Sequence, residues 1–297
     1  MNIDLSFSKA AAVLPKEHKK VSFYIIGAGG TGSYAAMAIA RLGFELKQAG
    51  KDVGITLIDP DRVERGNIPR SNFCFAEVGS FKAQTLAERL SAAWGLEVGY
   101  FNEKFDFGKH LVGISRNYKQ ITFLVGCVDN FEARREIHRA VGELERYSSS
   151  QAPNIWWIDG GNGKSSGQVL IGSNTLKHKN IEYFTAPSIC QKLPAPSVLH
   201  PDLLEPEAKI LKRDDTENLS CPDRIRLGEQ SLNINSRVAV EIGEMLTELL
   251  LTGSLRRFAT YFDLTSGTSR SVYCTPEQIK KALKEAADKV KVNKRKR

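Results

Sequence analysis

Apolar and polar positions alternate along the first half of the chain in a repeating order. VSFYII (21–26) reads as a buried strand. A glycine-rich turn follows, and residues 30–43, rich in small side chains (Ala35, Ala36, Ala38, Ala40), predict a helix packed closely on a sheet. VGITLIDPD (53–61) is a second strand, and FKAQTLAERLSAAW (81–94) places Phe81, Leu86, Leu90 and Trp94 on one helical face. LEVGYF (96–101) and ITFLVGCVDN (121–130) predict two further strands, the last running into a helix from 131 to about 145. Strands alternating with helices at this spacing imply right-handed βαβ units and a parallel sheet.

Beyond residue 150 the pattern changes. NIWWIDGG and SSGQVLIGS read as adjacent strands joined by a Gly/Asn/Lys turn. Residues 176–220 hold five of the eleven prolines and little periodicity, which predicts a long crossover loop. GEQSLNINSRVAVEIGEMLTELLLTG predicts a long helix ending at Gly253, and RRFATYFDL and SRSVYC two more strands. Thr275-Pro276-Glu277-Gln278 has a Thr N-cap, Pro at the first helical position and Gln at the third, opening a final basic helix. The expected fold is α/β, a Rossmann-like doubly wound mixed sheet. Its parallel first half is extended by antiparallel strands from the second half. The expected organisation is a polar leader (1–20), one domain (21–274) and a basic C-terminal helix and tail (275–297).

Composition narrows the function classes. At 41% hydrophobic and 26% charged the chain is an ordinary globular one. No apolar run approaches the roughly 18 residues of a membrane span, and the N-terminus lacks a basic-then-apolar secretion signal, so a cytoplasmic protein with no membrane partner is expected. The formal charge of +8 is local: residues 280–297 carry nine Lys/Arg against Glu285 and Asp288, leaving the body near neutral. The tail is therefore a solvated or docking extension, and no nucleic-acid binding is expected of the folded body. Five scattered cysteines without a C-x-x-C pair argue against a disulfide framework and against structural zinc.

Three clusters carry candidate chemistry. Gly27, Gly29 and Gly32 form G-x-G-x-x-G between a strand and a helix, letting the backbone turn tightly and approach a phosphate met by the helix N-terminus. The second strand ends in DPDRVERGNIPRSNF. Asp59 alone would suit the ribose of a nicotinamide dinucleotide, but Asn67, Arg70 and Lys82 follow closely. Cations gathered there suit a triphosphate, whose leaving pyrophosphate develops charge; the alternative is that Arg70 and Lys82 are ordinary surface charges. Both are expected to stand exposed in the crevice. The fourth strand ends in Asp129-Asn130, with Arg134 one turn later. Asp129 could hold Mg²⁺ beside phosphates, or either residue could cap the helix that starts at Phe131.

GAGGTG, DPDRVERGNIPRSN, GSFKAQTLAERL and CVDNFEARR together resemble the ThiF/MoeB/HesA family, bacterial relatives of ubiquitin-activating enzymes. The likeness extends from about Val21 to Tyr273. LSCPDRIRLGEQSLNINSRVAVEIGEMLTELL is similar to the family's Cys-containing segment before its late helix, most of all in the ThiF-type subfamily of the bacterial PRTRC gene system. The resemblance implies a single adenylation domain that uses ATP and Mg²⁺. Gly27, Gly29 and Gly32 would line the ATP pocket, with Asp59 on the ribose and Asp61 beside it. Asn67, Arg70 and Lys82 would hold the phosphates and Asp129 the metal. The C-terminal carboxylate of a ubiquitin-like or sulfur-carrier protein would attack the α-phosphate, giving an acyl-adenylate and pyrophosphate. A homodimer is expected here.

Cys221 falls where some family members capture the acyl group as a thioester; the other reading is a structural cysteine. Cys190 is the second candidate, while Cys127, inside an apolar strand, is expected in the core. The chain departs from the family in three places. Ser71 stands where Gln usually follows the arginine, the paired C-x-x-C zinc site is missing, and residues 1–20 contain no Arg to lend to a neighbouring subunit. Lys9, Lys16, Lys19 or Lys20 could substitute, or one chain could complete the site. The rival readings are an NAD-dependent oxidoreductase on the same turn and a non-catalytic nucleotide-binding scaffold.

Overall fold

The structure, a computed structural model, describes residues 5–112, 119–146, 153–175, 181–206 and 231–295. It opens with a short helix α1 (Ser6–Lys9) and strand β1 (Ala12–Val13), followed by β2 (Lys20–Ile26) and α2 (Gly30–Gln48). Next come β3 (Asp52–Ile58), α3 (Lys82–Trp94), β4 (Val98–Phe101), α4 (Phe107–His110), β5 (Gln120–Gly126) and α5 (Phe131–Arg146). The second half contains β6 (Ile155–Asn162), β7 (Ser166–Gly172), β8 (Phe184–Ala186), β9 (Ile189–Cys190) and α6 (Pro196–Leu199). It closes with α7 (Ile234–Thr247), β10 (Arg257–Asp263), β11 (Thr268–Tyr273) and α8 (Pro276–Arg295).

Eight strands form one sheet in the order β11-β10-β7-β6-β5-β2-β3-β4. From β6 to β4 every pairing is parallel, and β6–β7, β7–β10 and β10–β11 are antiparallel. This is the mixed sheet that the sequence pattern predicts. The Val-, Ile- and Phe-rich β5 is buried along its whole length, because helices cover both faces of the parallel half. Phe23 and Phe123 stack at 5.6 Å on neighbouring strands, and Trp156 and Trp157 fill the two faces of β6. The small side chains of α2 let α7 cross it closely: a Cβ at Gly243 would lie 2.9 Å from that of Ala38.

Two segments differ from their sequence patterns. Residues 10–13, within the segment expected as a polar leader (1–20), pack onto the body. Ala10, Ala11 and Val13 are buried, β1 pairs with β9, and the amides of Ala11 and Val13 donate to the carbonyls of Cys274 and Leu255. The apolar run from Ala10 to Leu14 supplies the burial that the flanking lysines mask in a composition window. The crossover region is also partly built: β8, β9 and α6 occupy residues 184–199, with β1, β9 and β8 forming a second, three-stranded sheet. Its remaining part, Cys221 included, lies outside the described residues. The late helix runs from Ile234 through a π-helical turn (Glu248–Thr252) to Gly253, whose φ of +60° stops it where the pattern places the end. The cap of α8 is the predicted one, with the Gln278 amide donating to Thr275 Oγ1 at 3.2 Å.

Candidate active site

The chain leaves β2 toward β3 on one side and pairs it with β5 on the other, so a crevice opens between the ends of β2 and β5. Gly27 sits in this fork with φ +88°, where a Cβ would meet the Cys127 carbonyl oxygen at 2.6 Å. A Cβ at Gly32 would overlap the Gly27 carbonyl oxygen, so two of the three motif glycines are required by space alone. Gly29 precedes α2 and, like Gly27, lines the crevice.

Asp59 fastens this turn. Its Oδ2 accepts from the Ala28 amide at 2.6 Å and its Oδ1 from the Asp61 amide at 2.8 Å. Burial raises its pKa, opposed by those two amide hydrogen bonds. The side chain expected to serve a ribose thus first joins the end of β3 to the glycine turn.

The cations are arranged differently from expectation. Lys82 is not exposed: only 9% of it is accessible, and its Nζ donates to Asp61 Oδ2 at 2.9 Å. As the first residue of α3 it buries its stem along the helix entry and keeps its ammonium at the crevice wall through Asp61. Arg70 is half-buried at the end of a 3₁₀ segment (Arg65–Arg70), and its carbonyl accepts from Asn235 Nδ2 at 3.0 Å. Asn67 Oδ1 accepts from the Glu64 amide, and the buried Ser71 hydroxyl donates to the Asn67 carbonyl. The Asn72 amide donates to Ser33 Oγ at 2.8 Å. The strap 64–72 is therefore tied to α2 and α7 as well as to itself.

Asn130 and Asp129 divide the two tasks open to them. Asn130 Oδ1 accepts from the Ala133 amide at 2.9 Å and caps α5. Asp129, exposed in the crevice, is released from capping. Arg134 reaches across to Asp159 of β6, its Nε lying 3.3 and 3.2 Å from the two carboxylate oxygens. Asp159 is wholly buried, which raises its pKa against the opposing pull of Arg134. Its signal in the sequence is a single acid in an otherwise apolar strand, NIWWIDGG. Asn235 is a second residue with no motif of its own: it joins Arg70 to Thr31 and Asn162.

The cysteines separate clearly. Cys127 is half-buried against the crevice rather than in the core, but burial first, then the nearby Asp159 carboxylate, pushes its thiol well up and disfavours a thiolate. Cys190, the second candidate nucleophile, is fully buried in β9, with Sγ donating to the Lys192 carbonyl. A core thiol without access to substrate does not capture an acyl group.

The crevice, about 1670 Å³, extends from the glycine turn past Asp129 to the faces of β7, β10 and β11. The ThiF family model matches residues 5–187, more than half of the chain. The chain belongs to the ThiF family. Curated relatives include the ubiquitin-like modifier-activating enzyme 5 of Gallus gallus, 31% identical over 141 residues, which are 43% of this chain and 34% of that protein. The enzyme of the same name from Drosophila mojavensis is 32% identical over 148 residues (46% and 32%). The chain thus spans about a third of the length of the curated relatives it matches. Among solved structures, E. coli MccB with ATP aligns over 91% of this chain and 66% of its own, at TM-score 0.51 and 15% identity. PaaA aligns over 86% and 64%, at TM-score 0.51 and 19% identity. These likenesses establish the Rossmann-like fold. No helix among the described residues is long and apolar enough to cross a membrane.

Proposed function

We propose that this protein is an ATP-dependent adenylyltransferase that activates the C-terminal carboxylate of a ubiquitin-like, sulfur-carrier or related peptide substrate. The observation that carries the reading is the grouping of Lys82, Arg70 and Asp129 around one crevice whose floor is the glycine turn. A hydride-transfer site needs a place for a dinucleotide, not a cation held in position by its own acid at the second strand's end. A triphosphate needs both cations.

ATP and Mg²⁺ fit the donor set. The turn between Gly27 and Gly32 leaves backbone where a Cβ would otherwise stand, and Asp129 is a carboxylate not used for capping. Bound Mg²⁺ would neutralise phosphate charge, with Asp129 as its protein ligand. The glycine turn presents amides at the start of α2, while Asp59 keeps that turn closed from behind. As the substrate carboxylate attacks the α-phosphorus, the bond to the bridging oxygen breaks and pyrophosphate leaves with the electron pair. Lys82 and Arg70 stabilise the charge gathering there. Asp61 acts through Lys82, fixing the ammonium before substrate arrives, so little reorganisation remains for the reacting state. A general base is unnecessary because the nucleophile is already an anion. We further propose that Cys221 takes the acyl group as a thioester, and that the protein works as a homodimer.

Mg²⁺-dependent exchange of labelled pyrophosphate into ATP, stimulated by a ubiquitin-fold or peptide carboxylate, tests the reaction. Lys82→Ala and Arg70→Ala should each lower exchange by about 30- to 1000-fold, the loss of one preorganised charge contact of about 2–4 kcal/mol. Near-unchanged exchange in both variants would sink the reading. Cys221→Ser should retain exchange and lose any thiol-sensitive conjugate.

A further inference from the structure

The strap that carries Arg70 meets the late helix at one side chain. Asn235, the second residue of α7, is buried, and its Oδ1 accepts from Thr31 Oγ1 at 3.1 Å and from Asn162 Nδ2. Its Nδ2 donates to the Arg70 carbonyl at 3.0 Å. Asn162 Nδ2 also donates to Thr31 Oγ1, at 3.2 Å. The four residues come from α2, the strap, β6 and α7, and all four line the crevice. A carbonyl oxygen can only accept, so Arg70 requires the Nδ2 edge of the Asn235 amide and leaves the Oδ1 edge to Thr31 and Asn162. One orientation of the amide satisfies every partner.

Gly30 makes room for that amide. It stands outside the G-x-G-x-x-G set, yet a Cβ there would lie 2.4 Å from Asn235 Nδ2, 2.7 Å from its Cγ and 3.0 Å from its Oδ1. The extra glycine of GAGGTG is therefore accounted for by a side chain of the late helix. On the other side of the amide, the Arg70 carbonyl belongs to the peptide plane one bond from the Arg70 Cα, so fixing that plane fixes the direction in which the guanidinium-bearing side chain leaves the strap. Two residues further on, the Asn72 amide donates to Ser33 Oγ at 2.8 Å. The exit of the strap is thus held by α7 at residue 70 and by α2 at residue 72.

We propose that Asn235 is a positioning residue for the phosphate site, holding the Arg70 peptide so that the guanidinium is presented to the outer phosphates of ATP before the nucleotide arrives. The role of Arg70 in this proposal rests on the adenylation reading. Asn235 touches no reacting atom, and its contribution passes through Arg70. A cation already in place needs little rearrangement as charge gathers on the leaving pyrophosphate. The chemistry of the amide makes the role specific. A carboxylate at residue 235 turns an oxygen toward the Arg70 carbonyl and repels it. Once protonated, the same group has an O–H for that carbonyl and a C=O for Thr31 and Asn162, as the amide has.

Calorimetric titration of the full chain with ATP and with AMP tests this. Asn235→Ala should weaken ATP about fivefold to thirtyfold, the scale of a buried hydrogen-bond partner removed, and should weaken AMP, which lacks the outer phosphates, by less than about twofold. In an Arg70→Ala background the same substitution should cost ATP no more than about a further twofold, because no guanidinium is left to place. Asn235→Asp should bind ATP poorly at about pH 8 and approach wild type at about pH 5.5, since burial raises the new carboxyl's pKa and protonation restores the donor. Asn233→Ala, exposed at the start of the same helix and without a side-chain cap bond, should change neither ligand. With ATP bound by the wild type, equal losses for ATP and AMP, or the full loss repeated in the Arg70→Ala background, overturn the positioning role alone. Should Asn235→Ala not fold, Asn235→Asp decides by itself, and an ATP affinity that does not recover in acid overturns the proposal. A wild-type protein that binds no ATP removes the adenylation reading, and this proposal with it.

Discussion

In the parallel half, β5 is buried from end to end and the crevice-lining residues Gly27, Asp59 and Asp129 stand just beyond the strands. In the antiparallel half, the crevice-lining residues lie along the strands themselves, as Gln168, Tyr261 and Arg270. The cause is coverage. The central strand β5 carries helices on both faces and opens to the crevice at its tip, whereas β11, at the sheet's edge, has no buried residue. Tips held by backbone hydrogen bonds suit a ligand of fixed shape such as a nucleotide. An open face suits a chain that varies in sequence. Arg134 and Asp159 tie the helix after β5 to β6, the strand at which pairing turns from parallel to antiparallel.

Breaking that junction should have the largest effect. Arg134→Met leaves Asp159 buried without its partner and should cost about 3–5 kcal/mol near neutral pH. The sign of its pH dependence follows from a carboxyl whose folded-state pKa is already raised by burial. Below the ordinary carboxylate range the acid is neutral in both states and the penalty vanishes. It grows as pH rises through the folded-state pKa. Urea unfolding at several pH values should therefore show the variant approaching wild type in acid; a constant gap would mean that Arg134 acts through packing.

The glycines sharpen the contrast between fixed and adaptable halves. Gly32→Ala pushes a methyl into the Gly27 carbonyl and should cost about 2–3 kcal/mol and weaken ATP binding. Gly161→Ala meets only the movable Gln168 side chain and should cost less than about 1 kcal/mol. Comparable losses in thermal unfolding would contradict a rigid fork beside a yielding wing. A smaller separation is expected within one turn. Asn130→Ala should lose about 1 kcal/mol of cap stability, while Asp129→Asn should leave stability nearly unchanged and raise the Mg²⁺ needed for exchange. The smallest effect is expected from removing residues 293–297: unchanged ATP binding, and a salt-sensitive weakening of acidic partners by well under 1 kcal/mol per charge lost.

Much of this protein was legible in its sequence because the signals were local. Strand and helix periods, the left-handed Gly253, the Thr275 cap and the set of strands in the mixed sheet all depend on residues within a turn or two of one another. The residues that line the crevice were equally visible, since Gly27, Asp59 and Asp129 each follow the end of a strand. What only the tertiary structure decided depends on partners far apart in the chain. The Lys82 ammonium is fixed by Asp61, 21 residues away, and Arg134 by Asp159, 25 residues away. Burial of β1 and Cys190 needs the meeting of residues 12–13 with 189–190. The crevice wall of Gln168, Tyr261 and Arg270 exists only through the register of three strands, and a slip of one residue would turn every member to the opposite face. Periodicity can say that a strand exists, but ion pairs, burial and register are properties of two segments at once, fixed only when folding brings them into contact.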